Sequence, residues 1–300
     1  VRCLESCYMQ GLAESAFEII VINDGSTDRS LEVVNGYLKS KTNIRLYTQK
    51  NLGQGAARNF GLKQALGKYI LFLDSDDFLL SNTVSRILNV AENTSCEVVN
   101  FLMEVELPTG NVKEGYLYYY DFKKIYSGEE LLLQNNVNIG SACSSLYKKD
   151  FILQNGIFFP TDMKHEDVFF SYQVYTFASK VSFSNIHAYY YCWNTASTDR
   201  SVDPQKLRIL QMSEISQAYY LNKLSSDQRV KKEISNYLKK ASNSTLISLL
   251  LAIFKKDSVL SKKDFKKECI RRGLYPLKGR TLSWKTTSIL FIFKIILAFS

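Results

Sequence analysis

The feature that most restricts this chain is an apolar run, Tyr69, Ile70, Leu71, Phe72 and Leu73, that stops in the carboxylates Asp74, Asp76 and Asp77. An uninterrupted stretch of aromatic and aliphatic residues reads as a strand buried on both faces, as in parallel sheets. Acids crowded at its end repel one another and lose hydration in any partial enclosure, so a cation among them removes a cost. In open α/β sheets the C-terminal strand ends are also where ligands bind. A hard divalent ion, carried in with substrate phosphates, meets both conditions. The competing reading is a solvated acidic turn that caps the next helix.

The pattern repeats on either side. Residues 18–22, 44–48 and 97–106 read as further strands. Helices are expected between them: one with Leu31, Val34 and Leu38 on a single face and a cap at Ser26 or Thr27, one over about 56–65, and one over 82–91. Strands and helices alternating through short loops predict a right-handed, mostly parallel α/β sheet flanked by helices. Beyond it, residues 107–127 read as irregular strands or a flap. Residues 128–135 and 146–154 read as helical, and 181–183 and 187–192 as strands. From Pro204 onward the pattern is all-helical. Residues 1–7 look like an amphipathic helix met partway, so the expectation is a domain whose first strand precedes Val1.

Charge supports a division near residue 200. Residues 1–200 hold 18 basic and 22 acidic residues, whereas 201–300 hold 20 and 7, so the net charge of +9 belongs to the last third. The cysteines (Cys3, Cys7, Cys96, Cys143, Cys192, Cys269) form no C-x-x-C pair, which argues against a zinc site or a disulfide framework and for a reducing, cytoplasmic setting.

Other groups could do chemistry. Asp24, in Asn23-Asp-Gly-Ser-Thr-Asp28, stands at a strand end and could accept hydrogen bonds from a ribose or base; the same residues suit an Asx turn. Gly53, Gly55, Arg58, Asn59 and Gly61 form neither a Walker A loop nor a dinucleotide fingerprint, but Arg58 lies early in a helix, within reach of a diphosphate or free on the surface. Glu166 and Asp167 open a helix, where they complement its dipole or, in a cleft, one serves as general base. His165 and His187 read as structural.

In order, Phe17-Glu-Ile-Ile-Val-Ile-Asn-Asp-Gly-Ser-Thr-Asp28, Asn51 to Gly61, Gly67 to Asp77 and Phe158 to Phe170 resemble a family 2 glycosyltransferase of the GT-A fold across about residues 1–200. The resemblance implies a nucleotide-diphospho-sugar donor of the UDP type, a Mn²⁺ or Mg²⁺ ion and inversion at the anomeric carbon. It implies that Asp24, Arg58 and Asp74 contact the donor and that Asp76, with Asp74, holds the metal. It further implies Asp167 as catalytic base, with Glu166 positioning a glycan or lipid-linked acceptor of surface polysaccharide synthesis. The chain departs from the pattern at Cys143, Ser145 and Cys192.

Two rival readings remain: a non-catalytic nucleotide-sugar or glycan-binding protein on the same scaffold, and a nucleotidyltransferase. The basic C-terminal third shows no nucleic-acid motif. It suggests peripheral contact with anionic lipid at the cytoplasmic membrane face, with Trp284 and residues 289–299 as an interfacial helix too short to span a bilayer.

Overall fold

A computed structural model describes residues 1–114, 120–134, 140–194, 203–255, 257–283 and 286–287. The chain opens with α1 (Arg2–Tyr8), β1 (Ile19–Asn23), α2 (Ser30–Leu38), β2 (Ile44–Thr48), α3 (Gln54–Gln64), β3 (Tyr69–Leu71) and β4 (Phe78–Leu79). It continues through α4 (Val84–Thr94), β5 (Val98–Glu106), β6 (Val112–Glu114), α5 (Gly128–Leu133), β7 (Ser145–Lys148) and α6 (Lys149–Gln154). Then follow α7 (Glu166–Phe177), β8 (Val181–Tyr191), α8 (Pro204–Leu224), α9 (Lys232–Lys255) and α10 (Lys262–Arg271).

The α/β class with a helical C-terminal part is as expected, but the strand directions are mixed rather than mostly parallel. β1 and β2 run parallel, with Ile19 opposite Ile44. The larger sheet has the order β3-β7-β5-β8-β4, with β6 on β5. Within it β5 and β8 are parallel, while β3–β7, β5–β7, β5–β6 and β4–β8 are antiparallel. Two of these antiparallel pairs are made by β7, which the sequence pattern assigns to a helix over 146–154. Leu146 and Tyr147 instead fill the slot between Leu71 and Ile70 on one side and Val99 and Val98 on the other. Only the second half of that window, α6, is helical.

Other boundaries shift for local reasons. Ser26 and Thr27 do not cap α2: Arg29 occupies the cap position, and the Asp28 carboxylate accepts from Ser30 N at 3.0 Å. The two expected strands over 181–192 are one strand, β8, whose register against β5 shifts around Leu102.

A cluster of phenylalanines ties together the segments that carry the acids. Phe159 and Phe170 stack with centroids 4.0 Å apart, and Phe72 meets both edge-on at 5.1 and 5.7 Å. Phe72 lies two residues before Asp74, and Phe170 three residues after Asp167. Edge-to-face pairs of this kind add about 1 kcal/mol each beyond the area they bury. The C-terminal helices join the same core through Leu221, Leu224, Ile234, Tyr237 and Leu238. A second core forms around Ile215, Leu246, Leu250 and Phe265. No helix among the described residues is long and apolar enough to cross a membrane. Trp284 and residues 289–299 lie outside the described residues.

Candidate active site

The centre of the site is a guanidinium. Arg58 on α3 donates through Nη2 to Asp74 Oδ1 at 2.7 Å and through Nη1 to Glu166 Oε1 at 2.9 Å. Its side chain is 10% exposed and that of Glu166 6%, so the bridge is largely desolvated, while Asp74 at 30% opens toward solvent. The planar fork of arginine is what allows one cation to hold two carboxylates. The face of the Phe159 ring lies 5.3 Å from the guanidinium carbon and supports it from below.

Two neighbours of Arg58 hold α3 against the segment leading to α7. Asn59 donates to Phe159 O at 2.7 Å and accepts from Phe159 N at 2.9 Å, so its amide pairs with backbone as a strand would. Gly55 gives the clearance: a Cβ there would sit 2.5 Å from Pro160 O and 3.0 Å from Glu166 Cγ. The signal for Gly55 was present in the glycine-rich turn. Nothing in the sequence indicated that Asn59 is a clamp.

Asp167 follows in the first turn of α7. Burial pushes its carboxyl up to about 6, against the opposing pull of Arg58; Glu166 and Asp74 add repulsion. Thus α3, the strand end and α7 bring Arg58, Asp74, Glu166 and Asp167 together.

The other acids part company. Asp77 is buried; Tyr189 Oη donates to its Oδ2 at 2.5 Å and Cys192 N to its Oδ1 at 2.8 Å. Burial pushes it up to about 6 as well. Tyr189 Oη also accepts from Asp74 N at 3.3 Å, so one buried hydroxyl spans the acidic turn. Sequence reasoning missed Tyr189, which reads there as one more strand tyrosine. Cys143 lies buried in the same neighbourhood, its thiol pushed up by burial and then by the Asp74 charge. Asp76 is exposed, with Asn194 Nδ2 at 3.3 Å from its Oδ2.

Asp24 makes none of these contacts itself. It accepts from Gln49 Nε2, Leu52 N and Gly53 N, each at 2.8 Å, and so pins the turn that starts α3. Gly53, at φ +89°, supplies the backbone conformation that turn requires.

Among the described residues no three acidic, histidine or cysteine side chains converge to hold a metal unaided. Asp74 has Oδ1 committed to Arg58 and Gln54, and Asp76 projects its carboxylate to solvent. That donor set suits Mg²⁺ or Mn²⁺, which take one or two carboxylates and complete their shell with phosphate oxygens and water.

The family model for glycosyl transferase family 2 matches residues 1–154. The chain is 31% identical over 199 residues to the putative glycosyltransferase EpsH of Bacillus subtilis, covering 63% of this chain and 55% of that protein. It is 31% identical over 193 residues to the poly(ribitol-phosphate) beta-glucosyltransferase of Bacillus spizizenii, covering 63% and 29%. The chain therefore spans about half, or less, of the length of these curated relatives. Among solved structures it resembles Staphylococcus aureus TarS 1–349 in complex with UDP-GlcNAc, with a TM-score of 0.59, 21% identity and coverage of 91% and 88%. It also resembles the mannosyltransferase PcManGT of Pyrobaculum calidifontis in complex with GDP-Man and Mn²⁺, with a TM-score of 0.53, 15% identity and coverage of 99% and 81%. Those two likenesses establish the GT-A fold. The segment matched by the family model contains both β3, which leads to Asp74, and the helix that carries Arg58, and this chain belongs to glycosyl transferase family 2.

Proposed function

We propose that this chain moves a sugar, with inversion, from a nucleotide-diphospho-sugar of the UDP type to a hydroxyl of a glycan or lipid-linked acceptor in surface polysaccharide synthesis. The observation that carries the reading is Arg58, which joins Asp74 at the strand end to Glu166 beside Asp167 within one desolvated cluster. A donor pocket and a base for the acceptor need to face the same carbon from opposite sides, and this bridge links the two.

Asp167 is the base. A carboxyl raised to about 6 is ionised at neutral pH yet basic enough to accept a proton from an attacking hydroxyl. The acceptor oxygen attacks the anomeric carbon, the sugar–diphosphate bond breaks, and the acceptor proton passes to Asp167. Glu166, held by Arg58, orients the acceptor. Asp74 and Arg58 orient the donor, and Asp24 contributes by fixing the turn before α3. Asp76 and Asp74 would hold Mn²⁺ or Mg²⁺, which supplies Lewis-acid stabilisation of the departing diphosphate. The relatives named as acting on poly(ribitol-phosphate), and the TarS complex with UDP-GlcNAc, support the donor and acceptor classes. A cytoplasmic site, peripheral to the membrane, fits the free cysteines.

The test is a panel of nucleotide sugars with Mn²⁺, with and without EDTA, following nucleoside diphosphate release and the anomeric configuration of the product by NMR. Metal-dependent release and an inverted product are expected. Donor binding without turnover would leave a binding protein, and pyrophosphate release a nucleotidyltransferase.

A further inference from the structure

We propose that the helical C-terminal part carries a second ligand site, a groove for a phosphate ester, distinct from the acidic cluster. The groove has a volume of about 560 Å³ and lies between α8, α9 and the loop over residues 273–280. Lys239, Lys240, Lys278 and Arg280 line it, together with Leu246 and Leu274, and none of its lining residues is acidic.

Several cations elsewhere in this part of the chain are matched by acids. Arg208 pairs with Asp264, Arg229 with Asp227, Lys231 with Glu129, and Arg271 and Arg272 with Glu268. The four cations of the groove are exposed, and none pairs with a carboxylate among the described residues. They are also held in place. Asn243 Nδ2 donates to Lys278 O at 2.7 Å and to Arg280 O at 2.9 Å, and Leu282 N donates to Ser244 Oγ at 2.9 Å. Gly279, at φ +90°, permits the turn between Lys278 and Arg280. Lys239 and Lys240 stand one helical turn before Asn243 and Ser244, so loop and helix present their charges to the same space.

Like charges gathered at one cavity repel, and an anion placed among them is stabilised. Phosphate oxygens accept from lysine as point charges and from arginine bidentately. The volume lies within the range of small-molecule sites, and the buried Leu246 and Leu274 offer apolar surface to the organic body of an ester. A soluble sugar or glycerol phosphate and a phospholipid headgroup share that chemistry. The groove shares no residue with the acidic cluster, so the inference does not rest on the transfer reaction.

The experiment measures binding by the full chain. sn-Glycerol 3-phosphate and glucose 1-phosphate are titrated by isothermal calorimetry, and phosphatidylglycerol vesicles are tested by co-sedimentation. The variant K239A/K240A/K278A/R280A and, as charge-matched control, K262A/K263A/K266A/K267A are compared, with circular dichroism and Tm as checks on folding. Binding of a soluble ester that weakens at least tenfold in the first variant and less than twofold in the control supports the site with a free phosphate as ligand. Vesicle binding alone with the same pattern supports it with a headgroup as ligand. Equal weakening in both variants, or no binding by wild type in either arm, overturns it. If the first variant misfolds, the single variants K239E and R280E carry the same comparison.

Discussion

Two charged regions of this molecule are built on opposite rules. In the acidic cluster the most buried charges are held by the protein itself: Arg58 lies between Asp74 and Glu166, and Asp77 takes hydrogen bonds from Tyr189 and Cys192, while burial raises Asp167 toward its neutral form. In the C-terminal groove four cations of one sign share a cavity, exposed to water. The difference follows from solvent. A desolvated charge without a partner costs several kcal/mol, so the cluster must be compensated by its own residues. Hydrated lysines face no such demand and can remain unmatched until a ligand arrives.

The contrast can be broken most severely at Asp167. D167N should lower transfer by about 10³-fold while donor binding, read by calorimetry, changes little, because only the proton acceptor is lost. Removing the central cation is next. R58A leaves Glu166 buried without its partner and should lower unfolding stability by about 3 kcal/mol in urea titration. R58K should recover little of this, since an ammonium cannot span both carboxylates. No comparable loss is expected on neutralising the groove. G55A tests the packing beneath the charges: its Cβ would push α3 from Pro160 and cost about 2 kcal/mol, seen as a lower urea midpoint.

The smallest effect separates catalysis from stability by pH. Transfer requires ionised Asp167, so kcat/KM should fall about tenfold per unit below a midpoint near 6. Stability should run the other way. Asp77 and Asp167 bind protons more tightly folded than unfolded, so their contribution is fully present below about pH 4 and is lost as pH rises through about 6. D77N should flatten that part of the stability profile and leave the kinetic midpoint in place. A midpoint that moved with D77N would assign the base role elsewhere.

Much of this was legible in the residues. The strand that leads toward Asp74, though it closes at Leu71, the helix that opens at Glu166 and the Arg58 helix are local patterns that the fold keeps. What did not show were relations between distant segments. Leu146 and Tyr147 favour a helix by periodicity, but a vacant slot between β3 and β5 makes a strand of them. Asn59 and Tyr189 gain their roles only when Phe159 and Asp77, 100 and 112 residues away, come within hydrogen-bond range. Asp24 shows the same thing: the local turn contacts fall to Asn23, which accepts from Ser26 N, and Asp28, which accepts from Ser30 N, while Asp24 is pinned by Gln49, Leu52 and Gly53 from 25 to 29 residues away.

The interlocked rings of Phe72, Phe159 and Phe170 also govern how this scaffold can be recombined. The family match ends at residue 154, which makes that point a tempting junction for swapping halves between relatives. A chimera cut there would inherit Phe72 and Arg58 from one parent and Phe159, Phe170 and Asp167 from the other. Aromatic faces shaped by different histories would meet under the reacting groups. A junction placed after Tyr191 instead keeps the nest, and the β8 strand whose Tyr189 reaches Asp77, from a single parent.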